Sequence, residues 1–176
     1  VLDKRNIPSN FNRDNFLLSP LLASSLVSAG YVVLAPDYLG FGSDESNVHP
    51  YVNFSEVNAL SGIYMLQAYL RSASFKAANF ATTPISVFLS GYSEGGGYAL
   101  WASKILQESN FLIRHNLELN KTIPVVGAYN ISKVMYPFMF SNVTDDRADP
   151  YDVENYWVSA VSKPGFYAAS VNAALS

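Results

Sequence analysis

Apolar positions along this chain follow two different periods. Over 15–29, NFLLSPLLASSLVSA, they recur at helical spacing, so that Leu17, Leu18, Leu21, Leu22 and Leu26, with Ser25, share one face. Gly30 follows directly, where a helix C-terminal cap belongs. YVVLA (31–35) is then apolar without alternation and β-branched, which predicts a strand buried on both faces of a parallel sheet. Residues 36–50, PDYLGFGSDESNVHP, are dense in Pro, Gly, Asp and Ser and read as a loop. Ser55 is the expected N-cap of a helix that Leu60, Ile63, Leu66 and Leu70 carry to about Ser72. ATTP (81–84) breaks the pattern, ISVFLS (85–90) gives a second buried strand, Glu94 to about Glu108 a helix, and IPVVGAYN (123–130) a third strand.

Helix and strand therefore alternate three times, which argues for an α/β fold with a doubly wound, mostly parallel sheet. Residues 1–130 read as part of such a core. From 131 to 176 the chain changes character, becoming rich in aromatic residues and methionine, and is expected to begin a helical cap or lid. The aromatic stretches 135–140 and 155–167 fit either an acyl pocket or ordinary core packing. The first residues read as the middle of a domain, so a partial domain is expected.

Composition narrows the function classes. Of 176 residues, 49% are apolar and only 14% charged, so the chain is a well-buried globular piece and not a disordered one. The net charge is −3 and the Lys and Arg residues are scattered, which argues against nucleic acid as a partner. No apolar run approaches the roughly 20 residues that span a bilayer. Without cysteine there is neither a disulfide nor a thiolate metal site.

The chemistry is concentrated in LSGYSEGGGYAL (89–100), where Ser93 stands between Gly91 and Gly95 at the junction of a predicted strand and a predicted helix. A serine hydroxyl is a weak nucleophile unless its surroundings activate it. A sharp strand-to-helix turn lifts it above the sheet, and strand and helix then come so close that the neighbours two away must be small, which is the Gly-x-Ser-x-Gly elbow. The same turn leaves the first helical N–H groups unpaired, so the backbone N–H of Glu94 is placed to donate to an oxyanion. Tyr92, beside the serine, either lines a pocket or covers the elbow. The alternative for the whole motif is a Gly/Ser-rich turn without chemistry.

YVVLAPDYLGFGSDES, HPYV, VFLSGYSEGG and VVGAYNIS, in that order, resemble the α/β-hydrolase superfamily, and within it the secretory lipase and esterase group. The resemblance covers about residues 1–135. It implies a secreted or periplasmic esterase or lipase acting on a small-molecule ester or lipid, with Ser93 as nucleophile, no organic cofactor and no metal. It also implies a second oxyanion donor from a His-Gly loop just before Val1.

A triad in this fold runs serine, acid, histidine along the chain. His115 precedes the third predicted strand and is expected at the surface; His49 belongs to the HPYV loop, structural or pocket-lining in the resembling group. Asp145, Asp146, Asp149 and Asp152 read as a solvated loop, and their spacing does not fit an EF-hand. Asp37 precedes the serine and is read as shaping a loop. Acid and base are therefore expected outside this chain, and the chain alone is expected to be inactive. GFGSDE (40–45) fails as a dinucleotide loop, because Glu45 and not glycine follows at the required position. Two rival readings stand: a serine peptidase of the prolyl-oligopeptidase kind, and a non-catalytic hydrolase-like binding domain.

Overall fold

The computed structural model describes residues 18–44, 49–50, 54–81 and 83–127, together with Pro8 and Tyr129. Helix α1 (Leu18–Ser28) is followed by a 3-10 turn (Gly42–Asp44), helix α2 (Ser55–Arg71), the short α3 (Ala73–Ala77), strand β1 (Ile85–Tyr92), helix α4 (Glu94–Glu108), the single turn α5 (Phe111–Arg114) and strand β2 (Leu117–Val125). The strands pair in parallel, with Ile85 opposite Leu117 and Tyr92 opposite Val125. The register shifts after Val87, where Asn120 is the extra residue on β2. Helices and a parallel strand pair make this an α/β arrangement.

One face of the strand pair is covered. Helix α4 packs on both strands, and α2 packs on α4. Ala59 and Ile63 of α2 meet Ala102 and Leu106 of α4, with Phe111 and Leu117 closing the end of this core. Ile85, Val87 and Leu89 of β1 point into it, while Phe88 and Tyr92 project from the opposite face and are exposed. The period of two along β1 thus separates a helix-covered face from one that is open among the described residues.

Several expectations hold. Helix α4 has the expected bounds. The cap at Gly30 is a complete Schellman motif: Gly30 has φ +90°, its N–H donates to Val27 O, and the Tyr31 N–H donates to Leu26 O. Others are corrected. Ser55 does not cap α2; it is the first helical residue and buried, and Phe54 takes the cap position without a side-chain hydrogen bond. The capping serine is Ser72, which accepts from the Phe75 N–H and starts α3, an unexpected helix.

The run 31–35 carries no strand pairing among the described residues; an apolar run becomes a strand only where another takes up its N–H and C=O groups. Tyr31 and Val32 are half exposed, and the Tyr31 ring rests edge-on against Phe88. Among the described residues the last strand is 117–125, starting six residues before the expected 123–130, of which 128 and 130 lie outside the described residues. With one face open to solvent, LELNKTIPV alternates in burial, so a search for an unbroken apolar run finds only its end. The apolar face of α1 remains open among the described residues, with Leu21, Leu22 and Leu26 about half exposed. The expected cap over 131–176 lies outside the described residues, as do Asp145, Asp146, Asp149 and Asp152.

Candidate active site

The carboxyl end of β1 turns into α4 within a single residue. That residue, Ser93, has φ 54° and ψ −118°, a conformation that is costly for a side chain other than glycine. Its N–H donates to Val125 O at 2.8 Å, and its carbonyl accepts from the Gly96 N–H at 3.0 Å. The neighbouring strand therefore holds the turn from one side. Since the Ser93 N–H is taken, the next N–H along the chain is that of Glu94, the first residue of α4, which has no acceptor in its own helix.

The glycines mark where backbones touch. A Cβ on Gly91 would stand 2.1 Å from Gly95 O, so no side chain fits between strand and helix. A Cβ on Gly96 would stand 2.8 Å from Val125 O and 3.2 Å from Gly127 Cα, and one on Gly127 would stand 2.7 Å from Gly97 N. Gly95 differs from this pattern. Its missing Cβ would meet the Tyr38 hydroxyl at 3.0 Å, a side-chain atom and not the strand.

Tyr38 belongs to a polar cluster that closes the other side of the turn. The Glu94 side chain points inward, its Oε1 2.5 Å from His49 Nε2, and it accepts a short hydrogen bond from the Tyr98 hydroxyl one helical turn on. His49 Nδ1 lies 2.8 Å from Leu39 O, and the Leu39 N–H donates to Asn58 Oδ1 of α2. The Tyr38 ring stacks with His49 and meets Tyr98 edge-on, while Phe41 tilts against the other part of the imidazole.

The electrostatics follow from this enclosure. Burial pushes the Tyr38 phenol up to about 12, and the nearby Glu94 carboxylate adds to the shift. Tyr98 is driven further above the ordinary phenol range, first by burial, then by the charge of Glu94 and the hydrogen bond to it; the Asn58 amide opposes the shift. Both tyrosines are therefore neutral at physiological pH, and Tyr98 is a neutral donor to Glu94.

The structure brings together Gly91, Ser93, Glu94 and Gly95, and leaves Tyr92 with 61% of its surface exposed on the open face of the sheet. It separates His115 from them. His115 caps α5 beside Phe111, just before Leu117, which pairs with the first residue of β1. The eight residues of β1 put about 26 Å between that end and the turn, at roughly 3.3 Å per residue. Asp37 lines a recess with Ala35, Pro36, Ser61 and Met65, which does not include Ser93. Among the described residues no three His, Cys, Asp or Glu side chains are grouped to hold a metal ion, and no helix is long and apolar enough to cross a membrane.

The inward turn of Glu94 and its contact with His49 were not foreseen. The Glu94–Tyr98 pair has the i,i+4 spacing of helical neighbours and was readable. The contact with His49 spans 45 residues and has no local signature.

The profile of the secretory lipase family fits residues 7–110, more than half of the 176 residues. No curated protein and no solved structure matched the chain.

Proposed function

We propose, for a chain that belongs to the secretory lipase family, that Ser93 is the nucleophile of a carboxylic ester hydrolase. We further propose that β1 and β2 are two strands of the doubly wound sheet of an α/β-hydrolase fold, and that the protein is secreted. The observation that carries this reading is the conformation of Ser93. A non-glycine residue is held at φ 54° between the carboxyl end of a parallel strand and the start of a helix, with strand and helix in backbone contact at Gly91 and Gly95. Strain of this kind persists only where its surroundings over-determine it, and it gathers at functional sites.

In the proposed reaction Ser93 Oγ attacks the ester carbonyl carbon and gives its proton to a base. The carbonyl oxygen becomes an oxyanion facing the Glu94 N–H, at the positive end of α4. Collapse expels the alcohol, which takes the proton, and leaves an acyl-serine. Water then attacks the acyl carbon, releasing the carboxylic acid and restoring the hydroxyl. Neither described histidine suits the role of base: His115 is at the far end of the strands, and both ring nitrogens of His49 already face acceptors. We assign base and acid beyond the described residues. Tyr92, exposed next to the nucleophile, is proposed to line the substrate path.

The test uses the full-length protein, a fluorophosphonate probe and p-nitrophenyl esters of graded acyl length. Labelling and turnover are expected, and Ser93→Ala should abolish both. Covalent labelling that survives Ser93→Ala would overturn the assignment. Loss of labelling with hydrolysis of peptides but not esters would point to the peptidase rival.

A further inference from the structure

We propose that His49 and Tyr98 are positioning residues for the reaction at Ser93. By holding the Glu94 carboxylate inward, they fix the first residue of α4 and with it the aim of the Glu94 N–H. The inference rests on the reading of that N–H as an oxyanion donor.

A glutamate in the first turn of a helix gains a modest dipole interaction while fully solvated. Glu94 instead turns away from water: its side chain retains 18% of its accessible surface and that of His49 only 5%. Burying a carboxylate is costly unless it is paired and hydrogen-bonded. Here the pairing is complete at Oε1, which receives both the Tyr98 hydroxyl and His49 Nε2. At the other end of the ring Nδ1 faces the Leu39 carbonyl, which can only accept. Nδ1 therefore carries a proton, and one further proton lies between Nε2 and Oε1. Whichever atom holds it, the pair is neutral overall, which lets it be buried beside two phenols.

The contacts form a continuous tether. Asn58 of α2 holds the Leu39 N–H, the Leu39 carbonyl faces His49, and His49 holds Glu94 at the start of α4. Tyr98, one turn along the same helix, keeps the carboxylate against the helix so that the pull of His49 reaches the backbone. On the opposite side the Ser93 N–H is held by Val125 O. The residue that carries the nucleophile and the residue that carries the donor are thus fixed from opposite sides. An oxyanion donor acts by being aimed in advance, and complete loss of one costs roughly 100- to 1,000-fold in turnover. Slackening it should cost less.

The experiment measures kcat and KM of the full-length protein on p-nitrophenyl butyrate, with kcat expressed per serine titrated by the fluorophosphonate, so that unfolded protein is not counted. His49→Phe keeps a ring between Tyr38 and Phe41 but removes both hydrogen bonds. It and Glu94→Ala are each expected to lower kcat per site about 10- to 100-fold, with KM within about threefold. The double variant should lose no more than the worse single one, because both cut the same tether. Glu94→Gln should recover most of what Glu94→Ala loses, since an amide nitrogen in the place of Oε1 can donate one N–H to Nε2 of a neutral His49 and the other to the Tyr98 oxygen. A purely structural role would reduce the number of titratable sites and leave kcat per site unchanged; that result, or multiplying losses in the double variant, would overturn the proposal. Should His49→Phe fail to fold, Tyr98→Phe decides: a fall of about 3- to 10-fold in kcat per site supports the tether, and parental kcat overturns it. Labelling that persists in Ser93→Ala would instead overturn the reading of the nucleophile, separately from the tether.

Discussion

At their carboxyl ends β1 and β2 meet α4 with backbone against backbone; at their amino ends they meet ordinary side chains. Each end contains residues with positive φ. At the amino end it is Asn116, φ 53°, a residue type that adopts the left-handed region readily, and its carbonyl simply accepts from the Ile85 N–H. At the carboxyl end they are Ser93, φ 54°, and Val126, φ 50°, and a β-branched residue there is a true outlier. The amino end is thus relaxed and lined by groups such as His115, whose ring lies on Phe111. The carboxyl end is strained and held by contacts from both sides. In parallel sheets ligands gather at the carboxyl edge, and the strain is stored at that same edge.

The contrast breaks most sharply at Gly91. Gly91→Ala forces a Cβ to within 2.1 Å of Gly95 O, where only backbone can move. Loss of more than about 3 kcal/mol is expected, beyond the usual 1–3 kcal/mol of overpacking, with phosphonate labelling reduced at least 100-fold. Thermal melts and labelling of the same preparation check it. Gly95→Ala should be milder, because the atom it meets, at 3.0 Å, is the end of the Tyr38 side chain. Roughly a tenfold fall in turnover and about 1 kcal/mol are expected, and adding Tyr38→Phe should recover part of both by removing the obstructing hydroxyl.

Alkaline pH sharpens the comparison next. The Tyr38 phenol sits at about 12 in the fold against an ordinary value of 10.0, and Tyr98 is raised as well. The neutral forms are favoured by folding, so their stabilisation is intact below pH 10 and is lost as the pH rises from there toward about 12. Melting temperatures between pH 9 and 12 should fall more steeply for the parent than for Tyr98→Phe. Phenolate absorbance should show two tyrosines that stay neutral above the ordinary value of 10.0 while the fold holds. Parallel curves for the two proteins would contradict this. Smaller still, Ser93→Gly should raise stability by about 1 kcal/mol by releasing the strained turn, even as activity disappears. At the amino end, His115→Ala should change turnover less than about twofold and cost no more than about 1 kcal/mol of ring packing.

What the sequence made legible was whatever depends on neighbours along the chain. Gly91, Ser93 and Gly95 announce a turn by spacing alone, Gly30 announces a cap, and Leu60, Ile63, Leu66 and Leu70 announce the buried face of α2. What remained hidden depends on partners far along the chain. The run 31–35 has strand composition, but pairing is a property of two segments. The apolar pattern marks only the end of β2, because its solvent-facing positions, Glu118, Asn120 and Lys121, interrupt that pattern. His49 looked like a loop residue because nothing local ties it to Glu94.

The Ser93 N–H bond to Val125 has a consequence for the order of assembly. Its acceptor lies beyond all of α4 and nearly all of β2, whereas the His49 side of the tether is synthesised well before the turn. As the chain emerges, α2 and α4 have the local sequence to form early, but the serine has nothing to hold it at positive φ until β2 has docked beside β1. Long-range parallel pairing is the slow kind of contact, since loop closure must come before its reward. Ser93 is therefore the last of the described residues around this turn to acquire its geometry, and a newly made chain carries an ordinary serine until the second strand is in place.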